Sequence, residues 1–161
     1  YRRAGFGCTP AELKDAVAAG LDRTLERMLE PAKTPYRPLP PLDSKSPRTA
    51  VDIRADWLNR MLTGAEPIRE RMTFFWHNHF ATSIAKIQDA RLMQRQNELL
   101  RTHALGKFGP FLREISRDPA MLIWLDSNQN VKAHPNENYA REVMELFSLA
   151  RPAAGRGPTP F

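Results

Sequence analysis

Two histidines two residues apart, His77 and His79, lie in the aromatic run FFWHNHF at residues 74–80. Imidazole nitrogens bind metal ions and move protons, so this pair is the first candidate for chemistry. A proline at residue 67 and apolar residues at helical spacing predict that the run belongs to one helix. Residues two apart on a helix point about 200° from each other. The two rings therefore cannot hold one ion together, and the helical context also argues against a His-Asn-His nuclease.

The two histidines have different predicted surroundings. His79 shares an apolar line with Met72, which is typical of a hydrogen-bonded core histidine. His77 lies on a more polar line beside Glu70, so it could pair with that carboxylate or face a cleft. Three aromatic side chains of the same helix are predicted to be largely buried, namely Phe75, Trp76 and Phe80.

A second set of chemically capable residues lies in PNENYAREVMELFSLA, at residues 135–150. An asparagine cap at Asn136 and a wide apolar face predict a helix over 136–149. Its other face carries Glu137, Arg141, Glu142 and Glu145. Arg141 lies four residues after Glu137 and four before Glu145, a spacing that is typical of surface ion pairs on a helix. Alternatively, Glu142 and Glu145, three apart, could bring two carboxylates into one site. With His77, these four residues are the best catalytic candidates.

No metal site is predicted. Carboxylate-bridged metal sites in helical bundles place a histidine three residues after a glutamate, and the helix at 136–149 has none. Cys8 is the only cysteine, which excludes an internal disulfide and a thiolate cage.

Composition narrows the class of protein. The chain has 161 residues, 42% of them apolar and 26% charged, as in ordinary globular domains. Its net charge of +6 raises the possibility of nucleic-acid binding. The basic residues are spread out, however, and form no basic tract, so nucleic acid is not an expected partner. No apolar run approaches the roughly 18 to 20 residues of a membrane span.

Helical periodicity dominates the chain, and no segment has the pattern of a strand. The predicted helices cover about 10–19, 21–29, 49–62, 67–83, 88–104, 108–116, 119–125 and 136–149. Prolines concentrate between Pro31 and Pro47, which predicts an extended connector. We therefore predict an irregular all-α domain over 1–149, with a helical pair at 1–30, the Pro-rich connector at 31–47, main helices at 48–149 and a disordered tail at 150–161.

Five blocks of the sequence resemble a bacterial family called domain of unknown function 1800. In the family's order they are RRAGFGCTPAEL, ERMTFFWHNHFATS, QNELLRTHALGKF, DPAMLIWLD and NENYAREVMELFSL. The resemblance covers the family's N-terminal portion. Members usually continue with a glycine-containing turn, a Tyr-Thr pair and further helices, whereas residues 151–161 do not, which predicts a truncated chain. Cys8 stands where members more often have a small residue, so we predict a packing role for it.

The resemblance implies a setting but no reaction, cofactor or catalytic residue. Members are often exported, and their genes often lie beside genes for sulfatase-like proteins. A binding or assembly module of an exported system, with the sulfatase-like neighbour as partner, is therefore the first hypothesis. The alternative is a hydrolase or metal-dependent enzyme in which the Glu137 to Glu145 helix acts with a missing C-terminal part. A nucleic-acid binder is the third. This sequence shows no signal peptide, so the compartment is not predicted.

Overall fold

The computed structural model describes residues 2–30 and 49–148 of this chain, and these residues form an irregular all-α arrangement. Within those ranges the only extended pairing is an isolated antiparallel bridge between Val131 and His134. The predicted fold class is thus confirmed. The predicted connector at 31–47 and the predicted tail at 150–161 lie outside the described residues.

The helices are α1 (Pro10–Ala19), α2 (Leu21–Leu29), α3 (Ala50–Thr63), α4 (Pro67–Phe80), α5 (Ile84–Ile87), α6 (Ala90–His103), α7 (Phe108–Ile115), α8 (Pro119–Trp124) and α9 (Asn138–Glu142). A 3-10 turn at Ser127–Gln129 precedes α9, and a π-helical segment at Val143–Ser148 continues it. Among the described α-helices, only the four-residue α5 was not predicted.

Local sequence signals determine where several helices begin. Thr9 starts α1 in a capping box, in which its hydroxyl accepts from the Glu12 N–H and the Glu12 carboxylate accepts from the Thr9 N–H. Thr49 and Asp52 form the same arrangement at the start of α3. Proline opens α1, α4 and α8, where a missing N–H costs nothing. These starts follow from a few neighbouring residues alone.

Two helix boundaries differ from the predictions. Helix α4 was predicted to reach Ser83 but ends at Phe80, because Ala81 adopts a left-handed conformation with φ of 50°. Helix α9 begins at Asn138 rather than beside Asn136. The Asn136 side chain still accepts from the Asn138 N–H at 2.8 Å, and it donates to two carbonyls of the preceding loop.

The core lies where α4, α6, α7 and α8 meet. Its buried members are Phe80, Leu100, Phe111, Ile115, Met121, Leu125 and Phe147. Helices α1 and α2 contribute no buried residue and pack mainly against each other. Burial of apolar surface therefore stabilises chiefly the part of the domain after residue 67.

The aromatic residues of α4 divide between core and surface. Phe80 is 1% exposed, as predicted, and Trp76 is half-buried against the core. Phe75 is 51% exposed, so its predicted burial is wrong. The face of α4 that enters the domain carries Glu70 and Thr73 in its place, both buried. Polar residues occupy this face because α6 and the backbone supply their hydrogen-bonding partners.

The two histidines have different neighbours, as predicted. The Nε2 atom of His79 lies 3.0 Å from the carbonyl oxygen of Phe147, and its ring stacks on Phe75. The ring of His77 lies 5.2 Å from that of Trp57 on α3, nearly perpendicular to it. The side chains diverge across α4, which rules out one ion shared by both.

Candidate ligand-binding cleft

A cleft of about 190 Å³ opens between α3, the end of α4, α5 and the first half of α6. Its lining includes Arg54, Trp57, His77, Thr82, Met93 and Asn97, and the remainder is small or aliphatic apart from Ser83. Aromatic and apolar walls with a few convergent polar groups are typical of sites for small molecules. The cleft is therefore the candidate functional site.

His77 contributes an uncharged imidazole to this cleft. It is half-buried on α4, and burial lowers the pKa of its ring from the usual 6.5. The ring is therefore neutral at pH 7, with one nitrogen that donates and one that accepts. The sequence left open whether His77 pairs with Glu70 or faces a cleft. In the structure His77 lines the cleft, and the Glu70 carboxylate accepts hydrogen bonds from Trp57 and Arg101.

A buried ion pair supports the cleft from behind. The Nε and Nη2 atoms of Arg101 lie 2.6 and 3.1 Å from the two carboxylate oxygens of Glu70. The indole N–H of Trp57 donates to the same carboxylate at 3.2 Å. A bidentate hydrogen bond between a guanidinium and a carboxylate fixes the relative orientation of the two groups as well as their distance. Glu70 and Arg101 thereby hold the Trp57 ring in place at the cleft.

Asn97 has a buried donor with no acceptor. Its Oδ1 accepts from Arg101 Nη2 at 2.7 Å, which assigns the amide orientation because the guanidinium can only donate. The Nδ2 atom therefore faces away from Arg101, and it is buried without a hydrogen-bond partner. An unmade buried hydrogen bond costs about 1 to 3 kcal/mol, so such a group calls for an explanation. The nitrogen is closed to solvent and therefore also to a molecule in the open cleft.

A chain of buried polar side chains leads from the cleft into the domain. Thr82 donates to the Gln96 amide oxygen, and Gln96 Nε2 donates to Asp118 Oδ1 at 2.8 Å. Asp118 also caps α8 by accepting from the Met121 N–H. Its second oxygen has no hydrogen-bond partner, and burial raises the pKa of the carboxyl. The chain fixes Thr82 in the cleft wall.

We expect the stability of Asp118→Asn, measured relative to the wild type, to be higher at pH 7 than at pH 4. Asparagine keeps the α8 cap and the acceptor for Gln96, and it removes a buried charge. At pH values between the usual carboxyl pKa of 3.8 and the raised pKa of the folded state, the Asp118 carboxyl is protonated in the folded wild type and ionised in the unfolded chain. The stability of the wild type therefore falls as the pH rises through this range. The stability of the variant relative to the wild type should therefore fall toward pH 4, as urea unfolding at both pH values would measure. A variant less stable at pH 7 than at pH 4, relative to wild type, would contradict this.

The acidic helix lies apart from the cleft. Glu137 and Arg141 are exposed, and Arg141 donates to the Asn138 side chain at 2.9 Å. Glu142 and Glu145 are half-buried. None of these four residues lines the cleft that contains His77. The described ranges contain no group of three metal-binding side chains. The five predicted candidates are thus not brought together, and a role for the acidic helix stays a proposal.

Replacing Arg141 by alanine is expected to cost only a few tenths of a kcal/mol, because its guanidinium is exposed and its hydrogen bond is screened by water. Thermal or urea unfolding of this variant beside the wild type measures the difference. A loss of 3 kcal/mol or more, on the order expected for a stranded buried charge, would mean that Arg141 neutralises buried carboxylates after all.

The cleft residues other than His77 were not singled out from the sequence, among them Arg54, Trp57 and Asn97. Arg54 and Trp57 are three apart on α3 and so share one face of that helix. Asn97 comes from the middle of α6. No short motif joins the two helices. Only their packing beside the end of α4 brings these groups together.

The fold and the cleft define an α-helical protein with a small, partly polar cleft. The model of the family described as "Protein of unknown function (DUF1800)" matches residues 1–155, and the chain belongs to that family. No curated protein and no solved structure gives a significant match. Within the described ranges, no helix combines the length and the apolar character that crossing a membrane requires. The family description states no activity, so function must be argued from the cleft.

Proposed function

We propose that this chain is a ligand-binding module and that the cleft between α3, α4, α5 and α6 is its binding site. The observation that carries the proposal is the lining of this cleft, which combines the Trp57 ring and the neutral His77 imidazole with the polar side chains of Arg54 and Asn97. The cleft volume of about 190 Å³ suits a small molecule or one end of a larger one.

Binding is favoured over catalysis by what surrounds His77. A catalytic imidazole generally needs a nearby group that fixes its tautomer and a nucleophile that it can activate. The ring neighbour of His77 is Trp57, and no carboxylate is among the described residues that line the cleft. The polar side chains that do line it, Arg54 and Asn97 among them, are suited to recognition.

The proposal is tested by filling the cleft. A mixed library of small carboxylic acids, phosphate esters, sugars, amino acids and amines would be screened by nuclear magnetic resonance. The signals to follow are the Trp57 indole N–H and the Asn97 side-chain amide. Ala90 lines the cleft, and Ala85 lies exposed on α5 outside it, so Ala90→Phe and Ala85→Phe form a matched pair.

We expect at least one library member to shift the cleft signals of the wild type and of Ala85→Phe, and to lose its effect on Ala90→Phe. Hits that shift signals elsewhere, and that bind Ala90→Phe as well as they bind the wild type, would refute the proposal. So would a library without a single member that shifts the cleft signals of the wild type.

The exported setting and the sulfatase-like partner belong to the same proposal, since the family resemblance implies both. Co-purification of the two proteins tests the partnership, and absence of the partner under mild conditions would count against it. The alternative is an enzyme that uses Glu142 and Glu145. It is favoured by the π-helical segment that begins directly after Glu142, because π-helical turns are frequent at functional sites. A turnover lost in Glu142→Gln and retained in Ala90→Phe would support that alternative.

A further inference from the structure

We infer that the ligand of the cleft is an uncharged aromatic molecule of about one ring, which packs against Trp57 and hydrogen bonds to His77 through a hydroxyl or N–H group. This inference rests on the proposed binding function and names the class of ligand that the site selects. It follows from the partners that the polar groups of the lining already have, from the character of the walls, and from the position of the His77 ring.

Most polar side chains of the lining already have partners within the protein. The Trp57 indole N–H donates to a buried carboxylate at 3.2 Å, and the Thr82 hydroxyl donates to Gln96. Asn97 accepts from Arg101 at 2.7 Å, and its amide nitrogen is closed to solvent. A ligand gains little from a polar group whose existing hydrogen bond it would have to replace. The lining therefore offers few contacts to a strongly polar ligand.

The charges around the cleft are also compensated locally. Asp52 lies in the first turn of α3 and Asp89 caps α6, so both carboxylates offset the partial positive charge of the helix starts beside the cleft. Ser83 caps α5 by accepting from the Ala85 N–H at 3.2 Å. The guanidinium of Arg54 belongs to an exposed residue, where water weakens its field. The site therefore favours an uncharged ligand.

The walls of the cleft suit a flat ring in size and in chemistry. Six of the eleven described residues that line it are apolar, among them Trp57, Ile53, Ile84 and Met93. Apolar cavities of about 150 Å³ take up a single benzene ring, and this cleft has about 190 Å³. Indole rings and methionine thioethers attract aromatic groups beyond the effect of buried area alone. An aromatic ligand therefore gains more here than an aliphatic one of the same size.

His77 provides a hydrogen-bonding group that no described residue uses. Within residues 2–30 and 49–148 no group hydrogen bonds to its ring, and neither ring nitrogen is closed to solvent. The ring contacts Trp57 edge-on, with the centroids 5.2 Å apart. It is neutral at pH 7, because burial lowers its pKa, and it can therefore both donate and accept. A ligand hydroxyl or N–H group beside the ring would complete its hydrogen bonding.

The test uses one-ring probes that differ from phenol in one property each. Phenol, toluene, cyclohexanol, benzoate and benzylammonium would each be titrated into the full chain at pH 7 and constant ionic strength, with the Trp57 indole signal as the report on the cleft. The variant is His77→Phe, which keeps an aromatic ring and removes the hydrogen bond. The control is His103→Phe, at a half-buried histidine of α6 that does not line the cleft. Ala90→Phe, which fills the cleft, tests the location without changing His77.

We expect phenol to shift the cleft signal and to bind at least about threefold more tightly than cyclohexanol, benzoate or benzylammonium. The ratio of the phenol affinity to the toluene affinity should fall by about threefold or more in His77→Phe, which is the effect of one lost hydrogen bond, and should stay within about 1.5-fold in His103→Phe. Ala90→Phe should abolish binding of every probe. Charged aromatic members of the mixed library should bind the same cleft more weakly than phenol.

Three results would overturn the inference. One is that benzoate or benzylammonium binds as tightly as phenol, and another is that cyclohexanol does so. The third is a ratio of phenol to toluene affinity that His77→Phe leaves unchanged or alters no more than His103→Phe does. If sugars or phosphate esters of the mixed library bind the cleft more tightly than the aromatic probes and are blocked by Ala90→Phe, the aromatic inference fails while the binding function stands. If nothing binds there, both fail.

Discussion

Replacing Arg101 by alanine is expected to lower the free energy of unfolding by about 3 to 5 kcal/mol. The Arg101 side chain is 1% exposed, and that of its partner Glu70 is 7% exposed. The variant therefore leaves a carboxylate buried without its counter-charge. Urea unfolding at pH 7 measures the loss, and Arg113→Ala, an exposed change on α7, should stay within about 0.5 kcal/mol of wild type.

A double variant separates the stranded charge from lost packing. Glu70→Gln removes the charge that Arg101→Ala leaves behind, so the double variant should be more stable than Arg101→Ala alone. If the loss of stability in the double variant equals the sum of the losses in Arg101→Ala and Glu70→Gln, the interaction between the two side chains contributes little to stability. A loss below 1 kcal/mol in Arg101→Ala would show that Glu70 is not stranded by the change.

The same variant should also weaken the cleft. Arg101 holds Asn97 through its Oδ1, and the Glu70 carboxylate holds Trp57. Without Arg101, the Asn97 amide and, through Glu70, the Trp57 indole lose contacts that orient them at the cleft. We therefore expect weaker binding of any cleft ligand by Arg101→Ala at temperatures where the variant remains folded. Unchanged affinity would mean that Arg101 and Glu70 do not position the residues that bind the ligand.

The second large effect is expected from Phe80→Ala, which should cost about 3 to 5 kcal/mol. Phe80 is 1% exposed and packs edge-on against both Phe111 and Phe147, with ring centroids 5.3 and 5.1 Å apart. Its truncation would leave a cavity at the centre of the core. Chemical unfolding of the purified variant gives the value directly.

Phe75→Ala is the matched control on the same helix. Phe75 is 51% exposed, so its loss should cost about 1 kcal/mol or less, mainly from the contacts with Trp76 and His79. Equal costs for Phe75→Ala and Phe80→Ala would contradict the orientation of α4. The comparison needs no knowledge of the ligand or of the function.

Helix starts could be predicted because their causes lie within a few residues. The hydroxyl of Thr9 and the carboxylate of Glu12 reach each other across one turn, whatever the rest of the chain does. The proline at position 67 acts in the same local way at the start of α4. The end of α4 was less predictable, because Ala81 takes a left-handed conformation that alanine rarely adopts by preference.

The orientation of α4 was only partly predicted, and the reason is electrostatic. Sequence patterning assigns Phe75 to the inside and leaves Glu70 on a polar line. In the structure Phe75 is exposed and Glu70 is buried, because Arg101 provides a buried guanidinium for Glu70. Arg101 belongs to α6, which begins 20 residues after Glu70. Pairing offsets the cost of burying a charge, and no local pattern signals that a partner will arrive.

The sequence by itself determined the helical class, most helix starts, the divergence of His77 and His79, and the family, because these depend on near-neighbour spacing or on recognisable blocks. The sequence also indicated His77 as a candidate, but it left open whether the ring pairs with Glu70 or faces a cleft. Only the tertiary structure decided that His77 joins Arg54, Trp57 and Asn97 in one cleft. Those groups come from three helices, and their meeting depends on how α3 and α6 pack on α4, which is a property of side-chain fit between distant segments.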